Sequence, residues 1–190
     1  AALNYAAVMA KASRVLAAFP AEQARAVDYA KSAEAAWRWA LAHPDVVYRQ
    51  PADVKTGAYG DDVLSDEFAF AAGALYLQSG RADYLAAFEA FRQKAGPLQV
   101  AGWANPLALV VAELAATPVV PAALRATLQQ QMTGLANEFV RQQQQSPAAL
   151  ALATGTVTIT VLCWPRARRS PWASMRRPSS PSPSLSSRRS

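Results

Sequence analysis

The order of apolar and polar positions divides this chain into six helical stretches followed by a segment of different character. From Asn4 to Phe19, the residues Tyr5, Val8, Val15 and Phe19 recur on related faces of a helix. Pro20 interrupts that helix. A second is expected from about Ala21 to Ala42, with a stripe of Val27, Ala30, Ala33, Trp37 and Leu41, and Pro44 ends it. A polar loop covers roughly Asp45 to Leu64. The third stretch is apolar on nearly every side, with Phe68, Ala71, Ala72, Leu75 and Tyr76 on one face and Phe70, Ala74 and Leu77 on the other. A helix of that kind has to be buried. Ser65 is its expected N-cap, Asp66 and Glu67 occupy the first turn where carboxylates favour the helix dipole, and Ser79-Gly80 stops it.

A fourth helix is expected over about Ala82 to Lys94, carrying Tyr84, Leu85, Phe88 and Phe91. A loop with Gly96, Pro97 and Gly102 follows, and Asn105-Pro106 opens the fifth helix as N-cap and first helical residue. Leu107, Val110, Val111 and Leu114 continue it, and Thr117-Pro118 closes it. The sixth, about Pro121 to Gln144, uses Leu124, Leu128, Met132, Leu135 and Phe139. Residues 1–145 therefore form three helix–loop–helix pairs with no convincing strand. Alternation of buried and amphipathic helices fits the concentric layers of an α/α toroid better than a four-helix bundle. The expected fold class is all-α, with 1–145 as part of a helical domain and 146–190 as an aberrant, disordered tail.

The tail changes what the composition means. Thr154 to Trp164 alternates like a strand but has no partner strand in the chain. From Pro165 to Ser190 there are seven arginines and no acid, among many serines and prolines, a composition that cannot offset the entropy of ordering. With seven of the 19 basic residues there, the rest of the chain carries 12 against 13 acids. The pI of about 9.8 thus belongs to the tail, and no aromatic stacking pattern accompanies it, so nucleic acid is not expected as a partner. No run has the length of a transmembrane helix, no N-terminal signal pattern is present, and no membrane partner is expected. Residue 1 is not Met, so the chain is expected to be a processed or truncated product. The single cysteine, Cys163, excludes an internal disulfide.

The one acidic cluster is Asp61, Asp62, Asp66 and Glu67, beside Gly57 and Gly60. Glycoside hydrolysis needs two carboxylates across a cleft. Spacing alone favours a plainer role, with Asp66 and Glu67 capping a helix and Asp61-Asp62 solvating a turn. Carboxylates and loop carbonyls suit calcium, yet no recognised calcium-loop spacing occurs, and neither metal nor cofactor is expected. His43, the only histidine, sits before Pro44 as a helix-end cation or a polar surface group. Tyr48 and Tyr59 in the polar loop and Trp103 before a helix start are candidates to stack on sugar rings.

With these residues in view, the chain resembles family-nine glycoside hydrolases, the cellulase family built on an (α/α)6 barrel. The resemblance rests on AEAAWRWALAHPDVVYRQP (Ala33 to Pro51), TGAYGDDVLSDEFAFAAGALYLQSGRADYL (Thr56 to Leu85) and GWANPLALVVAELA (Gly102 to Ala115). It implies a fold of about six helices, roughly half of the twelve-helix barrel, and a parent enzyme that hydrolyses β-1,4-glucans with inversion. In the family one Asp activates water and a Glu near the domain's C-terminus protonates the leaving oxygen. Both lie in motifs outside the matching segments, so no residue here receives a catalytic role and the chain alone is expected to be inactive. By resemblance Tyr59 and Trp103 fall near positions that line sugar subsites, while Asp61, Asp66 and Glu67 are structural or support the residues that touch sugar. The implied partner is a β-glucan or cello-oligosaccharide, and the implied location of the parent is secreted or periplasmic. A reading-frame shift near Pro147 would explain the tail: a shifted frame permits Trp across Thr154-Gly155 and a run like the family's next helix over Ser170 to Arg176. The alternatives that remain are another α/α-toroid enzyme acting on sugars, such as an unsaturated-uronide hydrolase, and a non-catalytic helical module with a basic binding tail.

Overall fold

The computed structural model of the protein describes residues 1–55, 62–102 and 104–145. The strand-like run at 154–164 and the basic tail lie outside the described residues. The described residues hold six α-helices and no strand: α1 (Ala2–Leu16), α2 (Gln23–Ala42), α3 (Ser65–Ser79), α4 (Ala82–Ala95), α5 (Leu107–Ala116) and α6 (Ala122–Gln145), with one 3₁₀ turn at Pro20–Glu22. Each odd helix packs on the even helix that follows it, and α3 also packs on α1 and α5. The odd helices therefore form an inner row with α3 in the middle, and α2, α4 and α6 back them from outside. This is three hairpins of the layered all-α arrangement expected from the sequence.

The inner position of α3 follows from its composition. Every residue from Asp66 to Tyr76 is buried, as an all-round apolar helix requires. Gly73 lets α5 approach closely, since a Cβ there would stand 2.7 Å from Val110 Cγ2 and 3.2 Å from Leu114 Cδ1 and Phe88 Cδ2. Gly80 ends the helix at φ 72°, a left-handed conformation that glycine adopts without a Cβ clash. Its N–H donates to the Tyr76 carbonyl at 2.7 Å. Between α2, α3 and α4 the aromatic rings form one cluster. Trp37 meets Phe68, Tyr84 and Phe91 edge-on at 5.8, 6.1 and 6.4 Å, and Phe68 stacks on Phe91 at 4.5 Å.

Four details depart from the sequence reading. On α1 the buried face is Leu3, Ala6, Ala7, Ala10 and Ser13, while Tyr5, Val8, Val15 and Phe19 are exposed. On α2 Ala26, Ala33, Trp37 and Ala40 are buried, and Val27 and Leu41 are exposed. Small side chains let helix axes approach, so the alanine face of α1 packs inward and its bulkier stripe stays outward, while on α2 Trp37 is the one large side chain among the buried alanines. Ser65 is the first helical residue rather than the cap, because Leu64 already takes the cap position with φ −97° and ψ 1° and its carbonyl accepts the Phe68 N–H at 2.9 Å. On α5 Pro106 rather than Asn105 takes the cap position, and Asn105 Oδ1, one residue further out, accepts the Leu107 N–H at 3.2 Å.

Polar contacts tie the hairpins together. Glu113 of α5 pairs with both Lys11 and Arg14 of α1, bridging the helices on either side of α3. Arg81 joins Glu34 of α2 at 2.7 Å and Asp83 of α4 at 2.6 Å. Tyr76 Oη donates to the Val119 carbonyl at 3.1 Å.

Candidate carbohydrate site at the long-loop end

Consecutive helices of a hairpin run antiparallel, so the connections fall at two ends of the bundle. At one end they are short: Gly80-Arg81 between α3 and α4, and residues 117–121 between α5 and α6. At the other end, residues 43–64 join α2 to α3 and residues 96–106 join α4 to α5. Long loops on a rigid helical frame are where binding residues concentrate. The N-termini of the inner helices point to this same end.

Here a pocket of about 520 Å³ opens between the start of α1, the end of α2 and the start of α3. Asn4, Trp39, His43, Tyr48, Glu67 and Phe68 line it, together with small apolar residues. Trp39 is 46% and Tyr48 55% exposed, a large aromatic area left in contact with water. His43 stacks on Trp39 with ring centroids 4.5 Å apart and planes inclined by 16°. Its Nδ1 donates to the Trp39 carbonyl at 2.8 Å. A carbonyl only accepts, so Nδ1 carries a proton, and Nε2 is the ring nitrogen left to face a ligand. The same bond satisfies a carbonyl in the last turn of α2. A second cavity of about 390 Å³ shares Pro44, Val47, Leu64 and Phe68 with the first, and brings Asp45, Arg49, Asp62 and Lys94 to the other side of the loop.

Of the residues singled out in the sequence, Asp66 and Glu67 lie in the first turn of α3, 2% and 8% exposed. Adjacent helical residues point about 100° apart, so these two carboxylates do not face each other across a cleft. Asp62 is exposed at the loop's end. Tyr59, Asp61 and Trp103 lie outside the described residues. No cluster of His, Cys, Asp and Glu suited to a metal occurs among the described residues, and no described helix is long and apolar enough to cross a membrane. The sequence reading passed over Asn4 and Trp39. Trp37 and Trp39 are two apart, and such residues cannot share a helix face. With Trp37 in the core, Trp39 had to point elsewhere.

Three helical hairpins in two layers, with one loop-bearing end that presents aromatic rings around a pocket, define part of an (α/α)6 barrel. The sequence pattern of glycosyl hydrolase family 9 matches residues 1–181, and the chain belongs to that family. It is 38% identical over 121 residues to the xyloglucan-specific endo-beta-1,4-glucanase BoGH9A of Bacteroides ovatus, which covers 57% of this chain and 20% of that protein. It is 36% identical over 87 residues to the cellulose 1,4-beta-cellobiosidase of Acetivibrio thermocellus, covering 44% of this chain and 10% of that one. A solved family-nine structure from Bacteroides ovatus superposes with a TM-score of 0.68 at 28% identity, over 80% of this chain and 30% of the other. The chain thus spans 10–30% of the length of these relatives.

Proposed function

We propose that this chain is part of a cellulase-like enzyme that cleaves β-1,4-glucosidic bonds in cellulose or a related β-glucan with inversion, and that the 190-residue chain alone is catalytically inert. The observation that carries the first statement is membership of glycosyl hydrolase family 9 over residues 1–181. The relatives named for endo-β-1,4-glucanase and cellobiosidase activity support the β-glucan class. Support for inertness comes from the carboxylates. Asp66 and Glu67 are the only buried acids among the described residues, and they sit side by side on one helix. Inverting hydrolysis instead needs an acid and a base roughly 6.5–9.5 Å apart on opposite faces of the sugar. In this reading Asp61, Asp66 and Glu67 hold the loop and the start of α3, Tyr59 and Trp103 touch sugar, and the parent enzyme works outside the cytoplasm.

The test is reducing-sugar release from carboxymethyl-cellulose and xyloglucan by two proteins: the 190-residue chain, and the product of the same gene region extended on both sides with one frame restored near Pro147. The expected result is no release by the first and release by the second, with the inverted anomer as the initial product. Release by the 190-residue chain would overturn inertness. An extended product inactive on every β-glucan would overturn the substrate class. Early stop codons in each alternative frame would remove the frame-shift explanation of the tail.

A further inference from the structure

We propose that Trp39, His43, Tyr48 and Asn4 form a glycosyl-binding subsite at the mouth of the 520 Å³ pocket, one that accepts a single hexose unit of a β-linked chain. The inference rests on the β-glucan reading for the identity of the sugar, but not for the existence of the site. Three features of the pocket carry it.

Two aromatic side chains line the pocket while half-exposed, although the core of the same bundle buries Trp37, Phe68 and Phe88 almost completely. The axial C–H face of a β-linked glucose is apolar and flat, and an exposed aromatic ring is its natural counterpart. The Trp39 ring is also held in place. His43 covers it at 4.5 Å, and the His43 ring is itself fixed by the Nδ1 bond to the Trp39 carbonyl. A platform ordered before the ligand arrives loses less entropy on binding.

The polar groups match hydroxyls. Asn4 Oδ1 is buried with no hydrogen-bond partner among the described residues, and Asn4 lines this pocket. A buried acceptor without a donor is uncommon in a native fold, and a sugar O–H would supply the donor. His43 Nε2 offers a second polar contact for a hydroxyl, which can donate or accept, since Nδ1 is already committed. Apolar faces beside the Asn4 acceptor fit a neutral polyhydroxylated ring rather than an anion, which would need donors or positive charge.

The test is isothermal titration calorimetry of the full chain with cellotetraose, maltotetraose and chitotetraose, comparing wild type with Trp39→Ala, Trp39→Phe, Tyr48→Ala and Asn4→Ala. Val140→Ser on α6 serves as a surface control, and circular dichroism checks that each variant folds. The expected result is cellotetraose binding that weakens at least tenfold in Trp39→Ala and severalfold in Tyr48→Ala and Asn4→Ala. Trp39→Phe should recover most of the loss, and Val140→Ser should bind as wild type. Cellotetraose binding unchanged in Trp39→Ala, Tyr48→Ala and Asn4→Ala would overturn the subsite and leave the β-glucan reading standing. Binding of maltotetraose or chitotetraose in place of cellotetraose, with the same loss in Trp39→Ala, would keep the subsite and overturn the β-glucan reading. Absence of binding to all three would overturn the subsite, while hydrolysis by the extended gene product reports separately on the β-glucan reading.

Discussion

Replacing Gly73 by alanine sets two well-understood effects against each other at the centre of the fold. In an unconstrained helix interior the change stabilises by about 1 kcal/mol, because glycine loses more backbone entropy on folding. In α3 the new methyl would lie 2.7 Å from Val110 Cγ2 and 3.2 Å from Leu114 Cδ1 and Phe88 Cδ2. All three neighbours are fully buried. Val110 is also β-branched on a helix, where one χ1 rotamer dominates, so it cannot swing aside. Overpacking of this kind costs about 1–3 kcal/mol, which leaves Gly73→Ala destabilising by about 1 kcal/mol net. With a urea slope of about 1–3 kcal/mol/M, the midpoint of the unfolding curve should fall by about 0.3–1 M. Val110→Ala removes the closest atom. In that background Gly73→Ala should lose most of its cost and come out about neutral, since the 3.2 Å approaches to Leu114 and Phe88 remain, a coupling of about 1 kcal/mol between the sites. If Gly73→Ala raises the midpoint in the otherwise unaltered chain, the close packing of α3 on α5 described here is wrong.

Two further perturbations probe ion pairs, one between hairpins and one within the α3–α4 hairpin. Glu113→Gln removes the shared partner of Lys11 and Arg14 and should lower stability by about 1 kcal/mol. The loss should shrink in 1 M salt, and an equal loss at both ionic strengths would argue against an electrostatic origin. Hydrogen bonds from Arg81 are the main cause holding the Asp83 carboxyl below its ordinary value of 3.8. A carboxylate lowered in the folded state adds stability above the unfolded value, and that stability drains as pH falls from there through the folded value. Denaturant midpoints should therefore fall between pH 5 and pH 3, and Arg81→Met should reduce that fall. The same slope in Arg81→Met would exclude the Arg81–Asp83 contact as a contributor.

The sequence by itself determined the element list, because helix formation answers to local periodicity and to turn chemistry. Pro20, Pro44, Gly80 and Thr117-Pro118 mark the helix ends within a few residues of where they fall. The apolar composition of α3 on all sides left burial as its only stable environment, so its central place in the inner row was legible too. The family was legible for a related reason: a Gly/Tyr loop, an acidic pair and an aromatic helix in fixed order form a pattern carried by consecutive residues.

What the tertiary structure decided is which face of each helix meets its neighbours, and hence what is left at the surface. On α1 the bulky stripe of Tyr5, Val8, Val15 and Phe19 looked like the core face, yet Ala6, Ala7 and Ala10 are inside. Hydrophobicity ranks valine and tyrosine above alanine, but the distance between two helix axes is set by the side chains at the contact, and that choice requires both partners at once. The pocket arose the same way. Asn4, Trp39, His43, Tyr48 and Glu67 come from four separate parts of the chain. No spacing rule connects them, and only the meeting of α1, α2, α3 and the loop after α2 turns a tryptophan two residues beyond the core into an open aromatic surface.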